Sequence, residues 1–175
     1  MNKKDFNNIS MNGRLAYQLM CVERYLLKKY PDIDFKPIFE IFWQVTNGMY
    51  WDTFSEYVID FEPNKFLEFE KFEDQGWCVI TKDLYDTVKP IISKLGDDVD
   101  DLFETLKDQT FVYAYTVVPK NTSESIDIIF DTIKLLKNEN IDLPDIKQVE
   151  FSTIDQRNGW GNHFDGTKLS IILNK

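Results

Sequence analysis

The sequence predicts a single α+β domain over residues 1–175, mainly α-helical, with about six helices and a small C-terminal β-hairpin. Its 175 residues have the length of one domain, and a content of 43% apolar and 15% aromatic residues is enough for a hydrophobic core. Up to Pro144, apolar residues recur at the three- and four-residue spacing of helices, whereas shorter segments rich in strand-forming residues follow it. No repeat, low-complexity tract or long linker divides the chain.

Four helices are expected before residue 70, because each apolar stretch lies between a residue that starts helices and one that breaks them. The first helix is capped by Ser10 or Asn12 and runs to about Lys29, and the second starts near Pro37 and stops at Gly48. The third helix starts at Asp52 or Thr53 and ends before Pro63. The fourth helix follows Asn64. We expect the second of these helices to be deeply buried.

Three further stretches follow in the middle of the chain. Thr81 precedes a helical pattern that Gly96 closes, and Pro90 within it is expected to kink or divide the helix. Asp97 caps the next helix, and Thr122 or Ser123 opens a clearly amphipathic one. Between these two helices, residues 110–118 are rich in strand-forming residues. They are so uniformly apolar that the spacing of apolar residues does not distinguish a strand from a helix, so a strand and a buried helical turn both remain open.

The last thirty residues carry the predicted hairpin. Residues 148–154 and 168–173 have the composition of two strands. Between them, Asn158-Gly159 and Asp165-Gly166 are turn dipeptides whose glycines accept a positive φ. We therefore expect the loop to fold back and pair the two strands.

Negative charge is concentrated in one part of the chain. Residues 31–110 hold nineteen Asp and Glu against seven Lys, whereas the first thirty residues have a net charge of +4, the last sixty-five have −2, and the whole chain has −10. Such a segment repels nucleic acid and anionic membranes, and it attracts a basic protein over a screening distance of about 8 Å. With a single histidine in the chain, the balance favours an acidic binding surface over an active site.

Two groups of acidic residues are the candidate contact surface for a protein partner. In residues 68–74 the acids alternate with Phe66, Phe69, Phe72 and Trp77, which suggests a surface with both negative charge and aromatic anchors. The alternative is that these rings belong to the core beneath a solvated acidic face. The second group also has a structural explanation, since acids stabilise the positive N-terminal end of a helix. The candidates are Glu68, Glu70, Glu73, Asp74, Asp97, Asp98, Asp100, Asp101 and Glu104.

A secondary candidate is the loop from Gly159 to Gly166, which concentrates three glycines, two aromatic residues and the histidine in eight positions. Trp160, His163 and Asp165 are its notable side chains. A carboxylate from Asp155 or Asp165 beside His163 would make an acid/base pair. The competing interpretation is a turn whose rings close the end of the core.

Cofactor and metal sites lack their signatures. Cys21 and Cys78 form no Cys-x-x-Cys pair and are expected to be small core residues, and one histidine cannot complete a zinc site. The Asp97 to Asp101 run lacks the glycine and the alternating ligands of a calcium loop, and no phosphate-binding glycine loop follows a predicted strand. We expect no cofactor. Without an apolar run of about 20 residues or a secretory signal, a cytoplasmic protein is expected.

In size, acidity and lack of catalytic motifs, the chain resembles the small acidic immunity proteins that accompany bacterial polymorphic and contact-dependent toxins. Short motifs add to the resemblance: Asn12-Gly13-Arg14, Gly159-Trp160-Gly161 and Phe164-Asp165-Gly166. The resemblance implies a protein that binds a toxin domain, often a basic nuclease, and blocks its active site without chemistry of its own. An enzyme that uses His163 and Asp165, and a structural subunit of a bacterial assembly, are the alternatives. Partner identity and oligomeric state stay open.

Overall fold

A computed structural model of the chain describes residues 1–115 and 122–175, and this part of the chain is built from helices and short turns. Seven α-helices are present in it: α1 (Met11–Lys29), α2 (Lys36–Phe42), α3 (Trp51–Asp60), α4 (Pro63–Glu68), α5 (Lys82–Ile92), α6 (Asp100–Tyr115) and α7 (Thr122–Asn138). Turns of 3-10 helix lie at Lys3–Phe6, Trp43–Asn47, Phe72–Asp74, Asp97–Val99, Ile146–Gln148, Gln156–Gly159 and Gly166–Leu169.

Helix α1 is the centre of the fold. All residues from Met11 to Glu23 are buried, polar ones included. The helix packs against α6, α7 and the turns Trp43–Asn47 and Gly166–Leu169. Helix α6 lies between α7 and α3, and α5 contacts α2 and α4. A helix that is covered on all sides leaves none of its polar side chains to water, so each of them needs a partner within the protein.

Most helix starts and stops agree with the sequence prediction. Ser10 caps α1 by accepting a hydrogen bond from the Gly13 amide at 3.2 Å, and Thr81 caps α5 through the Leu84 amide at 3.4 Å. Gly48, with φ +106°, ends the turn that continues α2. The predicted division of the helix at Pro90 is wrong, because this proline lies in the last turn of α5 and the helix continues to Ile92.

The structure also defines the start of the helix near Asp97 and most of the ambiguous segment 110–118. Asp97 opens a 3-10 turn after Gly96, and the α-helix that was expected there begins at Asp100. Residues 110–115 belong to α6, so they form a helix and not a strand. Residues 116–118 of the ambiguous segment lie outside the described residues. Helix α7 begins at Thr122, as predicted.

The α+β prediction is wrong, since the described residues form an all-helical fold without a sheet. The expected strands 148–154 and 168–173 consist of 3-10 turns and irregular backbone, and no C-terminal β-hairpin is formed. One isolated antiparallel bridge joins Thr153 to Ile9 in the N-terminal segment. Thr153 therefore pairs with a residue near the start of the chain and not with residues 168–173.

Polar side chains explain why these residues do not pair as strands. The carboxylates of Asp145 and Asp165 accept hydrogen bonds from the amides of Lys147 (3.0 Å) and Thr167 (3.2 Å), which starts a 3-10 turn at each place. The Ile171 amide donates to Glu23 Oε2 at 2.7 Å, so a side chain of α1 takes the place of a neighbouring strand. Strand-forming composition is overruled here by local capping and by one buried carboxylate.

Glu23 fastens the C-terminal segment to the core. Its fully buried carboxylate accepts hydrogen bonds from Trp43 Nε1 at 2.7 Å and from the Ser170 hydroxyl, in addition to the Ile171 amide. Burial raises the pKa of Glu23, although these hydrogen bonds favour the ionised form. Every group that contacts the carboxylate is a donor, so the site requires two acceptor oxygens.

None of the described helices combines the length and the apolar character needed to cross a bilayer.

The donors around Glu23 predict that Glu23→Gln destabilises the protein by about 2 kcal/mol, because the new amide group turns N–H toward N–H or O–H. The change in the free energy of unfolding is measured by urea denaturation. Glu40→Gln, at an exposed carboxylate, is the matched control and is expected to change stability by less than about 0.5 kcal/mol. Equal stability of wild type and Glu23→Gln would contradict this role.

Candidate functional site

The segment that carries the first acidic group is held at one end by a buried carboxylate and at the other by a half-buried lysine. Asp60, at the end of α3, is fully buried and accepts hydrogen bonds from the amides of Cys78 (2.8 Å), Val79 (2.9 Å) and Ile80 (3.3 Å). At the other end, Lys89 Nζ of α5 donates to the carbonyls of residues 69 and 70 at 2.8 and 2.7 Å. These charge-assisted hydrogen bonds fix the backbone of residues 69–80.

The aromatic residues of this segment pack inward. Phe66 is buried and stacks on Tyr85 of α5 with ring centroids 5.5 Å apart. Trp77 lies 4.9 Å from Phe66, and Phe72 stacks on Trp77 at 6.2 Å. The rings therefore form a cluster beneath the acids, as in the alternative interpretation of the sequence, and they are largely used in the fold.

The acids of the first group point outward and form no ion pairs among the described residues. Glu68, Glu70, Glu73 and Asp74 are all exposed, and none of them forms an ion pair with any residue that the structure describes. Leu67, with 54% of its surface exposed, lies next to Glu68 and adds an apolar side chain to this face. The segment thus presents four free carboxylates and one apolar side chain on a fixed backbone.

The second acidic group is only partly free. Asp97 and Asp101 are exposed and form no ion pair among the described residues. Partial burial, and next the charges of Asp97 and Asp101, raise the pKa of Asp100. The pKa of Asp100 is thus raised mainly by burial, and the neighbouring carboxylates at the start of α6 add to the effect.

The remaining two candidates of that group are engaged within the protein. Asp98 forms an ion pair with Lys29 at 3.3 Å and accepts a hydrogen bond from the Tyr30 hydroxyl. Burial opposes its ionisation, but the contacts with Tyr30 and Lys29 outweigh it, and the pKa of Asp98 lies below its usual value. Glu104 forms an ion pair with Lys107. The main role of Asp98 and Glu104 is therefore to stabilise the fold.

The start of α4 lies close to the start of α6, and Lys107, paired with Glu62 and Glu104, lies between them. Residues at the start of α4, Pro63 and Asn64, share a shallow cleft of about 170 Å³ with Asp100, Phe103 and Glu104 of α6. An α-helix of six residues is only about 9 Å long, so Glu68 at the end of α4 is near this cleft. We refer to the free carboxylates Glu68, Glu70, Glu73, Asp74, Asp97, Asp100 and Asp101 as the acidic surface.

The structure does not bring His163 and Asp165 together as an acid/base pair. The Arg157 guanidinium contacts Nε2 of His163, and because a guanidinium can only donate, the ring proton is placed on Nδ1. Asp165 instead accepts hydrogen bonds from the amide and the hydroxyl of Thr167. The contact with Thr167 lowers the pKa of Asp165.

The loop that holds these residues is seated on the N-terminal end of α1. The Asn12 amide donates to the Trp160 carbonyl at 3.0 Å, and the Asn12 side chain donates to the carbonyls of Gly161 and Asn162 at 3.3 and 3.4 Å. Gly161 has φ +85°, and a β-carbon there would overlap Ser10 Oγ. This close approach explains the glycine-rich composition of the loop.

A pocket of about 260 Å³ opens between this loop and the start of α3. Asn12, Tyr50, Trp51, Arg157, Trp160 and His163 are among its lining residues. The Trp51 and Trp160 rings lie 5.9 Å apart. Two of the three notable loop residues, Trp160 and His163, are thus parts of a pocket wall, whereas Asp165 is not among the described residues that line it.

Metal and thiol chemistry find no support in the described residues. No group of three or more His, Cys, Asp or Glu is arranged there to hold a metal ion. Cys21 is buried, and burial raises the pKa of its thiol, as expected for a core residue. The prediction that Cys78 is also a core residue is wrong, since its side chain is exposed.

The sequence prediction missed the residues that hold these sites in place. From the sequence, no role was predicted for Asp60, Lys89 or Arg157. One signal was present: Asp60 follows Phe54, Tyr57 and Val58 at the spacing of a buried helix face, where a charge requires partners. No sequence signal identifies Asn12 as a contact of a loop 149 residues later.

The ion pair of Asp98 with Lys29 predicts that the stability of the protein depends on pH. Because its folded pKa lies below the usual 3.8, Asp98 stabilises the fold above that pH, and the contribution is lost as the pH falls through the lowered pKa. With a side chain that is 35% exposed, water screens the pair, and we expect Asp98→Asn to cost about 1 kcal/mol at pH 7 and nothing at the acid end. Urea denaturation across the acidic range measures this difference. The control Asp32→Asn, at an exposed carboxylate that forms no ion pair among the described residues, should leave stability nearly unchanged at every pH. Equal losses in both variants would refute the assignment.

The close approach at Gly161 predicts that Gly161→Ala destabilises the protein by about 2 kcal/mol or more, through the positive φ and the overlap with Ser10. Gly76→Ala is the matched control, because a β-carbon at Gly76 meets no atom within 4 Å. Thermal and urea unfolding of both variants provide the test. A Gly161→Ala protein as stable as Gly76→Ala would show that the loop is not pressed against α1.

Comparison of the chain with models of known protein families, with characterised proteins and with solved structures finds no match. Function is therefore inferred from the surface and the pocket of the molecule.

Proposed function

We propose that the protein binds a basic protein through the acidic surface, in the manner of an immunity protein that neutralises a bacterial toxin domain. One observation carries the proposal: Glu68, Glu70, Glu73 and Asp74 are exposed, unpaired and mounted on a backbone that Asp60 and Lys89 hold in place. The chain has twenty Lys and Arg, yet within the described residues none of them forms an ion pair with these four carboxylates. Lys82, which is paired with Asp86, attracts Glu73 only from a longer distance.

Electrostatics supports a cationic partner. Like charges on neighbouring residues raise the free energy of the isolated protein. On this surface, the charges of Asp97 and Asp101 contribute, after burial, to the raised pKa of Asp100. A partner that brings lysines and arginines relieves this repulsion and is steered toward the surface before contact. Nucleic acid and anionic membranes are disfavoured by the same charges.

The fixed backbone supports tight binding. A surface that is already ordered loses little conformational freedom when a partner docks, so more of the contact energy becomes affinity. Leu67, exposed beside Glu68, supplies an apolar contact within the charged rim. Charge would set the rate of association, and the apolar contact together with the desolvated pairs would set the rate of dissociation.

A toxin domain suits these properties better than the alternatives. A basic nuclease presents its cationic substrate-binding face to any partner, and an acidic protein that covers this face blocks the active site without chemistry of its own. The enzyme alternative loses its acid/base pair, since His163 contacts Arg157 and Asp165 contacts Thr167. The described apolar side chains that are exposed are scattered over the chain, which gives little support to a subunit of a larger assembly.

The test uses a matched pair of charge-reversal variants. Glu68, Glu70, Glu73 and Asp74 are replaced by Lys in one variant, and the exposed, unpaired acids Glu124, Asp131, Asp142 and Glu150 are replaced by Lys in the control. Each reversal changes the charge by two, so both variants have a net charge of −2 instead of −10. The partner is the basic domain encoded in the neighbouring gene, and association is followed by stopped-flow mixing at low and high salt.

We expect the first variant to associate at least about tenfold more slowly at low salt and to lose most of its salt dependence, while the control stays close to wild type. Cells that express the toxin domain should be protected by the control variant and not by the first one. Equal effects of the two variants would show that net charge alone matters, and a neighbouring gene without a basic domain would contradict the proposal directly.

A further inference from the structure

We draw no further inference here: the strongest candidate, the apolar surface patch that the Phe151 and Phe164 rings form on the C-terminal segment with their centroids 4.9 Å apart, carries nothing because nothing in the part of the chain that the structure describes shows what covers it.

Discussion

The fold depends on one constraint: helix α1 is buried on all sides and carries polar side chains whose partners must come from the rest of the chain. Gln18 donates to the Thr105 carbonyl of α6 and to Thr132 of α7, both at 3.0 Å. Arg14 donates to the Phe6 carbonyl, and Glu23 accepts from the C-terminal segment. Such groups are costly to bury without hydrogen bonds, so the side chains of α1 favour the positions of the elements that supply their partners.

The same constraint distinguishes the acidic surface from the pocket beside the Trp160 loop. Charges that the fold needs are engaged in hydrogen bonds, as are the buried Glu23 and Asp60 and the half-buried Lys89. Glu68, Glu70, Glu73 and Asp74 form no ion pair among the described residues, so their number and position are free to serve recognition. The pocket differs again, because it forms where the loop at Trp160 is seated on the end of α1, and none of the described residues that line it is acidic.

Sequence reasoning succeeded where the determinants are local. Ser10, Thr81, Gly48 and the apolar spacing located most of the helices within a few residues, because caps and periodicity act within one or two turns. It failed for residues 148–154 and 168–173, whose strand-like composition is overruled by Asp145, Asp165 and the distant Glu23. The acidic residues were found from charge alone, but which of them are neutralised depends on long-range contacts such as that of Asp98 with Lys29.

Hydrogen exchange of single amides tests the organising role of α1 most directly. If α1 holds the loop and the C-terminal segment through its polar side chains, the amides of Asn12 and Ile171 open only when the whole protein unfolds. Their opening free energies should then equal those of the central residues of α1 and the free energy of global unfolding. Exchange of Ile171 through a local opening, with a free energy several kcal/mol below that of α1, would contradict the account.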